Sequence, residues 1–161
     1  MINLTTKERM LLEDEKSHEE LCVSKYNDYA SKATCSELSS LFSSLAQKEQ
    51  QHLDTINQIL GGTVPNINSS SQNQQSNMQQ AQVNMNSSMP NLQNASSYNE
   101  NDKMLCQDSL STEKFISSTY NTAIFEFSDK QVRQVLNHIQ KEEQEHGEKI
   151  YNYMHQHGMY N

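Results

Sequence analysis

The chain has no basic block and no long apolar run, and each absence removes a class of function. Its 12 Lys and Arg stand against 20 Asp and Glu, giving a net charge of −8. Direct binding to nucleic acid or to an anionic membrane surface is therefore not expected. No apolar run approaches the roughly 20 residues that span a bilayer. The opening residues, Met1-Ile2-Asn3-Leu4-Thr5-Thr6-Lys7, contain no apolar signal core, so synthesis in the cytoplasm is expected. The three cysteines, Cys22, Cys35 and Cys106, are an odd number without a CxxC pair. They imply neither a disulfide framework nor a zinc site, but ordinary reduced thiols, two of them on helix faces. Hydrophobic residues make up only 34% of the chain, and mean hydropathy is −0.88. That is too little for one compact core unless part of the chain lies outside it.

One segment fits that description. From Asn66 to Asn99 the chain is almost all Asn, Gln and Ser, with no charged residue. Such a segment cannot bury enough apolar surface to offset its ordering entropy. The chain thus divides into 1–60, a disordered or loosely ordered linker over 61–100, and 101–161.

The two flanks repeat each other at one constant offset of 94 residues. Met10, Leu11, Asp14, Ser17, Glu19, Ser24, Tyr26, Asn27, Glu49, Gln50, His52 and Ile56 meet identical residues in the second flank. These are Met104, Leu105, Asp108, Ser111, Glu113, Ser118, Tyr120, Asn121, Glu143, Gln144, His146 and Ile150. A gapless match of this kind points to duplication of one structural unit. Each unit reads as two helices. Thr5 with Glu8 forms a capping box, which starts the first helix near residue 6. Thr34 with Glu37 starts the second, and Gly61-Gly62 followed by Pro65 ends it. Asp102 is a cap candidate for the third helix, and Ser128 with Gln131 marks the next turn. The fourth helix runs to about Gln156, with Gly158 suited to its C-terminal cap.

The apolar stripes show which faces are buried. The second helix carries Leu38, Leu41, Leu45, Glu49, His52, Ile56 and Ile59 in alternating steps of three and four. The fourth carries Val132, Val135, Ile139, Glu143, His146, Ile150 and Tyr153. An acid and an imidazole interrupt both seams at the same place. The first helix has Leu12, Glu19, Cys22, Tyr26, Ala30 and Ala33 on one face. The third has Glu113, Ile116, Tyr120, Ile124 and Phe127.

Four carboxylates on inward faces need positive charge, because burying an ionised carboxylate alone costs several kcal/mol. No Lys or Arg occupies the seams. Two divalent metals would balance the four acids, with the imidazoles as neutral donors. One Glu on each of two helices, with Glu-x-x-His on each of the other two, is the ligand pattern of di-iron and di-manganese four-helix bundles. Glu19, Glu49, His52, Glu113, Glu143 and His146 are therefore the metal-ligand candidates. In each hairpin the three lie about equally far from the turn, at one depth. Tyr26 and Tyr120 lie two turns along from Glu19 and Glu113. They are placed either to hydrogen-bond a ligand or to fill the core with a polar-tipped ring. His18 and His138 lie off the seams and are expected to be solvated, as are His155 and His157 near the end. The linker also fits a bundle whose second and third helices run parallel. The second helix is roughly 35–40 Å long. A flexible chain of about 40 residues spans about 35 Å. Such a linker also allows pairing with another copy's hairpin, as a homodimer.

Two family resemblances follow. The stretch from Glu19 through Tyr26-Asn27-Asp28-Tyr29-Ala30-Ser31-Lys32-Ala33 to Glu49-Gln50-Gln51-His52 resembles the first hairpin of rubrerythrin and ferritin-like proteins. It implies an all-α, ferritin-like four-helix bundle holding two Fe or Mn ions on the same six residues. There is no rubredoxin-like CxxC pair, which argues against a rubrerythrin electron-transfer chain. The absence of a fifth helix argues against iron storage. The second flank resembles the Coat F family of spore coat proteins, themselves members of the ferritin-like superfamily. That likeness rests on Asp108, Tyr120-Asn121, Glu126, Val132-Arg133, Leu136, Glu142-Glu143, His146, Ile150-Tyr151-Asn152-Tyr153-Met154 and Gly158-Met159-Tyr160. It implies a structural role in the spore coat after synthesis in the mother cell, with other coat proteins as partners. The Asn/Gln-rich linker would suit an assembled layer. The alternative is a di-metal oxidase, peroxidase or catalase-like enzyme acting on oxygen or peroxide at the same ligands.

Overall fold

A computed structural model describes residues 2–66 and 98–160, and within them the chain is entirely helical. Helices α1 (Thr6–Lys32) and α2 (Ser36–Leu60) form one hairpin. Helices α3 (Glu100–Glu126) and α4 (Lys130–Gln156) form the other. The central part of the Asn/Gln/Ser-rich linker lies outside the described residues. Its two ends are described: Ile2 donates its N–H to Gly62 O at 3.0 Å, and α3 begins at Glu100.

Cross-hairpin pairs give the directions. Lys25 bonds Asp108, Thr119 bonds Glu15 and Lys7 bonds Glu126, so α1 and α3 are antiparallel. His146 meets Glu49 while Glu142 meets His52, so α2 and α4 are antiparallel too. Helices α2 and α3 therefore run parallel, as the crossover reading requires.

The start of α1 is the expected capping box: Thr5 Oγ1 accepts from the Glu8 N–H, and Glu8 returns to the Thr5 N–H at 2.7 Å. The other three starts differ from the sequence reading. Cys35, not Thr34, caps α2 through its sulfur. Asn99, not Asp102, caps α3, and Asp129, not Ser128, caps α4. At the far end Gly158 adopts φ 68°, a left-handed turn that suits glycine. It lets Met159 fold back, bonded to Met154 O at 2.8 Å and buried.

The three displaced residues have a common occupation. Glu8 and Asp102 are equivalent under the repeat, as are Thr34 and Ser128. Glu8 Oε1 accepts from the N–H and the hydroxyl of Ser128, both at 2.9 Å. Asp102 accepts from the N–H of Thr34 at 2.9 Å and from its hydroxyl at 2.6 Å. Each hairpin thus clamps the other's turn with a buried carboxylate, at opposite ends of the bundle. Burial acts to raise the Glu8 pKa, but bonds from Ser128 and Thr5 outweigh it and hold the carboxyl at about 2. A folded pKa below the ordinary value means stability present above about pH 4.5 and lost as pH falls toward 2. Glu8→Ala is expected to cost about 2–4 kcal/mol in urea unfolding, since bonds to a charged acceptor are strong and their donors would be stranded. An unchanged midpoint would show that the clamp carries no stability.

The core follows the seams, with local shifts. Phe42 is fully buried where Leu41 was expected, and Ala123 where Ile124 was expected; Leu41, Ile124, Ala30 and Ala33 pack at its margin. All seven seam residues of α4 are buried.

Candidate metal centre

The bundle brings the six candidate ligands together at mid-height, all of them buried. The imidazole nitrogens Nδ1 face the carboxylates. His52 Nδ1 lies 3.1 Å from Glu49 Oε2, 2.8 Å from Glu143 Oε1 and 3.7 Å from Glu19 Oε2. His146 Nδ1 lies 3.0 Å from Glu49 Oε1, 3.7 Å from Glu143 Oε2 and 3.8 Å from Glu113 Oε2. The two rings stack with centroids 5.6 Å apart.

Two four-residue groups result, each with ligand atoms within 4.8 Å of one another: Glu19, Glu49, His52 and Glu143, and Glu49, Glu113, Glu143 and His146. Glu49 and Glu143 belong to both groups, one from each hairpin. The other four residues each belong to one.

The tyrosines cross between hairpins. Tyr26 donates its hydroxyl to Glu113 Oε1, and Tyr120 donates to Glu19 Oε1. Both are repeat-equivalent, fully buried core rings, so the two sequence readings of these residues describe one arrangement. Each ties up the outer oxygen of a carboxylate and leaves the inner one facing the centre.

Those inner atoms lack protein partners. Glu19 Oε2, Glu113 Oε2 and both oxygens of Glu143 are buried without a hydrogen bond. Glu143 Oε1 is close to His52 Nδ1 but lacks hydrogen-bond geometry. Buried polar atoms are rarely left so, and a cluster of them aimed at one point suits a cation. The donor set, carboxylates with imidazoles, suits Fe or Mn better than a soft metal.

Without a cation the same burial must be met by protons. Burial pushes Glu19 up to about 8, with the nearby Glu143 charge adding to it. Burial, then Glu143, pushes Glu113 well above the carboxylate range. Burial acts to raise Glu49 and Glu143 too, but the imidazoles outweigh it and hold both low. Burial acts to lower His52 and His146, yet the surrounding carboxylates raise both. Protons on Glu19 and Glu113, and charge on the imidazoles, act to offset the buried carboxylates Glu49 and Glu143. A metal would displace those protons.

The sequence reading missed two acids. Glu142 lies one residue off the α4 seam, yet its Oε2 sits 2.9 Å from His52 Nε2. It orients that ring so that Nδ1 faces inward. Its repeat partner is Lys48, 3.5 Å from Glu142 Oε1, so His146 has no such acid and its Nε2 is unpartnered. The adjacent pair Glu142-Glu143 was the available signal. Glu15 is also buried, accepting from Thr119 and contacting His18 Nδ1 at 3.3 Å. His18 is accordingly half-buried against Glu15 and Phe115 rather than solvated. His138 stands near the surface beside Glu142. His155 is exposed on Tyr151, and His157 lies at the surface near Glu37.

No curated protein and no solved structure matches the chain. Residues 101–161 match the family model described as the Coat F domain. The match takes in α3, α4 and the C-terminal Gly158-Met159-Tyr160 turn, and with them Glu113, Glu143 and His146. Among the described residues no helix is long and apolar enough to cross a membrane. The second hairpin of this chain is thus similar to the Coat F domain.

Proposed function

We propose that this chain is a component of the bacterial endospore coat, made in the mother cell, with a ferritin-like bundle that holds two Fe or Mn ions. The Coat F domain carries the coat assignment. The metal assignment rests on the two buried donor groups joined through Glu49 and Glu143. Glu19 and His52 would hold one ion, Glu113 and His146 the other, and Glu49 and Glu143 both. Half of this donor set lies in the Coat F hairpin and half in its repeat, so the first hairpin completes a centre the Coat F segment alone could not form.

Within the coat the chain would contact other coat proteins, and pairing with a second copy is the simplest further contact. A fluorescent fusion expressed during sporulation tests the assignment. It should gather on the developing spore from the mother-cell side. Fluorescence that stays spread through the mother cell would overturn it.

The second reading, an oxidase, peroxidase or catalase-like activity, is favoured by the completeness of the donor set. A bound pair of such metals supplies redox chemistry on oxygen or peroxide. The protein's own share would be to exclude bulk water by burial, to fix the ring of His52 through Glu142, and to orient Glu113 and Glu19 through the hydroxyls that Tyr26 and Tyr120 donate to them. Peroxide consumption by loaded protein, above that of free ions and lost with the metal, would favour this reading over a purely structural one.

A further inference from the structure

The two halves of the centre are reached by different grooves, and one repeat position beside them differs. Gly147 follows His146 on α4, while its repeat partner in α2 is Leu53. A groove of about 570 Å³ opens beside Gly147 between α3 and α4. Glu113 and Glu143 form part of its wall, and Glu148, Lys114, Tyr151 and Tyr160 stand nearer the solvent. Both inner acids are at least nine-tenths buried, and Glu113 Oε2 and both Glu143 oxygens lack partners. The left-handed turn at Gly158 brings Tyr160 against Tyr151 with ring centroids 5.0 Å apart, so the C-terminal residues shape the mouth.

The other half is approached differently. A second groove, about 330 Å³, reaches His52, but of the six candidate ligands only His52 lines it. There the Glu142–His52 hydrogen bond and the Lys48 ammonium stand before the carboxylates. That groove is lined by Lys48 together with Asp54 and Glu142, and it stops at His52 short of the inner carboxylates.

We infer that divalent metal ions load the centre through the Gly147 groove, passing Glu148 to reach Glu113 and Glu143. This rests on the metal centre proposed above. A Cβ at position 147 would meet Leu110 Cδ1 at 3.6 Å and Glu113 Cβ at 3.9 Å, ordinary contacts that a folded chain accommodates. A leucine there would project into the groove. Glu148 is exposed, so its charge can be reversed without disturbing the core.

The experiment follows cobalt(II) uptake by metal-free full-length protein through its visible absorbance. Wild type should bind two ions per chain, one for each donor group. Gly147→Leu should reach the same stoichiometry about tenfold more slowly, because the path is blocked while the ligands remain; Glu148→Lys should also slow loading, by a factor that shrinks as salt rises. Should Gly147→Leu fail to fold, Glu148→Lys decides alone. Variants that bind two ions at the wild-type rate would overturn the loading path and leave the centre standing. Wild type that takes up no cobalt would overturn the centre and the path together.

Discussion

Alanine at Glu49 or at Glu143 is expected to empty both halves of the centre, whereas alanine at His52 or His146 should lose one ion and keep the other. The asymmetry comes from sharing. Glu49 and Glu143 supply donor atoms to both four-residue groups, and each histidine supplies only one. Removing a shared carboxylate also removes charge that the two cations need, so the remaining donors face mutual repulsion of the metals. The loss should show in stability as well as stoichiometry. Metal at about a hundred times its dissociation constant stabilises a folded protein by about 2.7 kcal/mol. Wild type should therefore gain a clear rise in unfolding midpoint on adding Fe(II) or Mn(II), and Glu49→Ala and Glu143→Ala should gain none. If either variant kept two ions, the shared role of that carboxylate would be wrong.

The metal-free protein should lose stability as pH rises from about 5 to about 8, opposite to the usual behaviour of a protein rich in paired carboxylates. Glu19 titrates near 8 in the folded chain against an ordinary 4.5, because it is buried among other acids. Glu113 is shifted the same way. A carboxyl raised in this manner contributes fully below its unfolded pKa, and the contribution drains as pH climbs through the folded value. The raised imidazoles add to the same slope, since their stabilisation also fades as pH rises through their folded values. Each proton involved changes stability by about 1.4 kcal/mol per pH unit over its window, so several kcal/mol are at stake. Glu8, Glu49 and Glu143 pull the other way, but only in acid, because their folded values lie below the ordinary one. Maximum stability of the metal-free chain should then fall near pH 5–6. Loaded protein should lack the alkaline loss, since the metals replace the protons on Glu19 and Glu113. Urea unfolding of both forms at about pH 5.5 and about pH 8 measures this. Equal stability of the metal-free form at both values would mean that Glu19 and Glu113 are not held protonated by burial.

The repeat made most of the bundle readable. A fixed offset places Glu19 with Glu113, Glu49 with Glu143 and His52 with His146, and period-3.6 stripes bury all six. That reading needs only local spacing plus the demand that buried acids find charge. What escaped it depends on contacts between hairpins. Thr34 and Ser128 carry good local capping signals, yet each is drawn to a carboxylate of the opposite hairpin, and Cys35 and Asp129 take over the caps. Asp102 looked like a cap for the same reason and is instead the acceptor of that clamp. Glu142 sits one position beside a seam, where helix periodicity cannot tell a solvated acid from one that holds a histidine; Glu15 lies on the α1 seam itself, three residues after Leu12 and four before Glu19, so its spacing was an available signal. The Tyr26–Glu113 and Tyr120–Glu19 pairs needed the antiparallel register of α1 and α3, which no single-helix pattern contains.

Symmetry also shows where the two halves have diverged. Lys48 and Glu142 are repeat partners that face each other, one acid and one base, and only the acid supports a histidine. Leu53 stands at the repeat position where the second hairpin has Gly147. The groove beside Gly147 reaches Glu113 and Glu143, which is the basis for a loading path on the α3–α4 side.

The metal content of the protein purified without chelator tests the central claim most directly. About two Fe or Mn ions per chain are expected, one for each donor group. Folded protein that arrives without metal, and gains no stability from added Fe(II) or Mn(II), would contradict it.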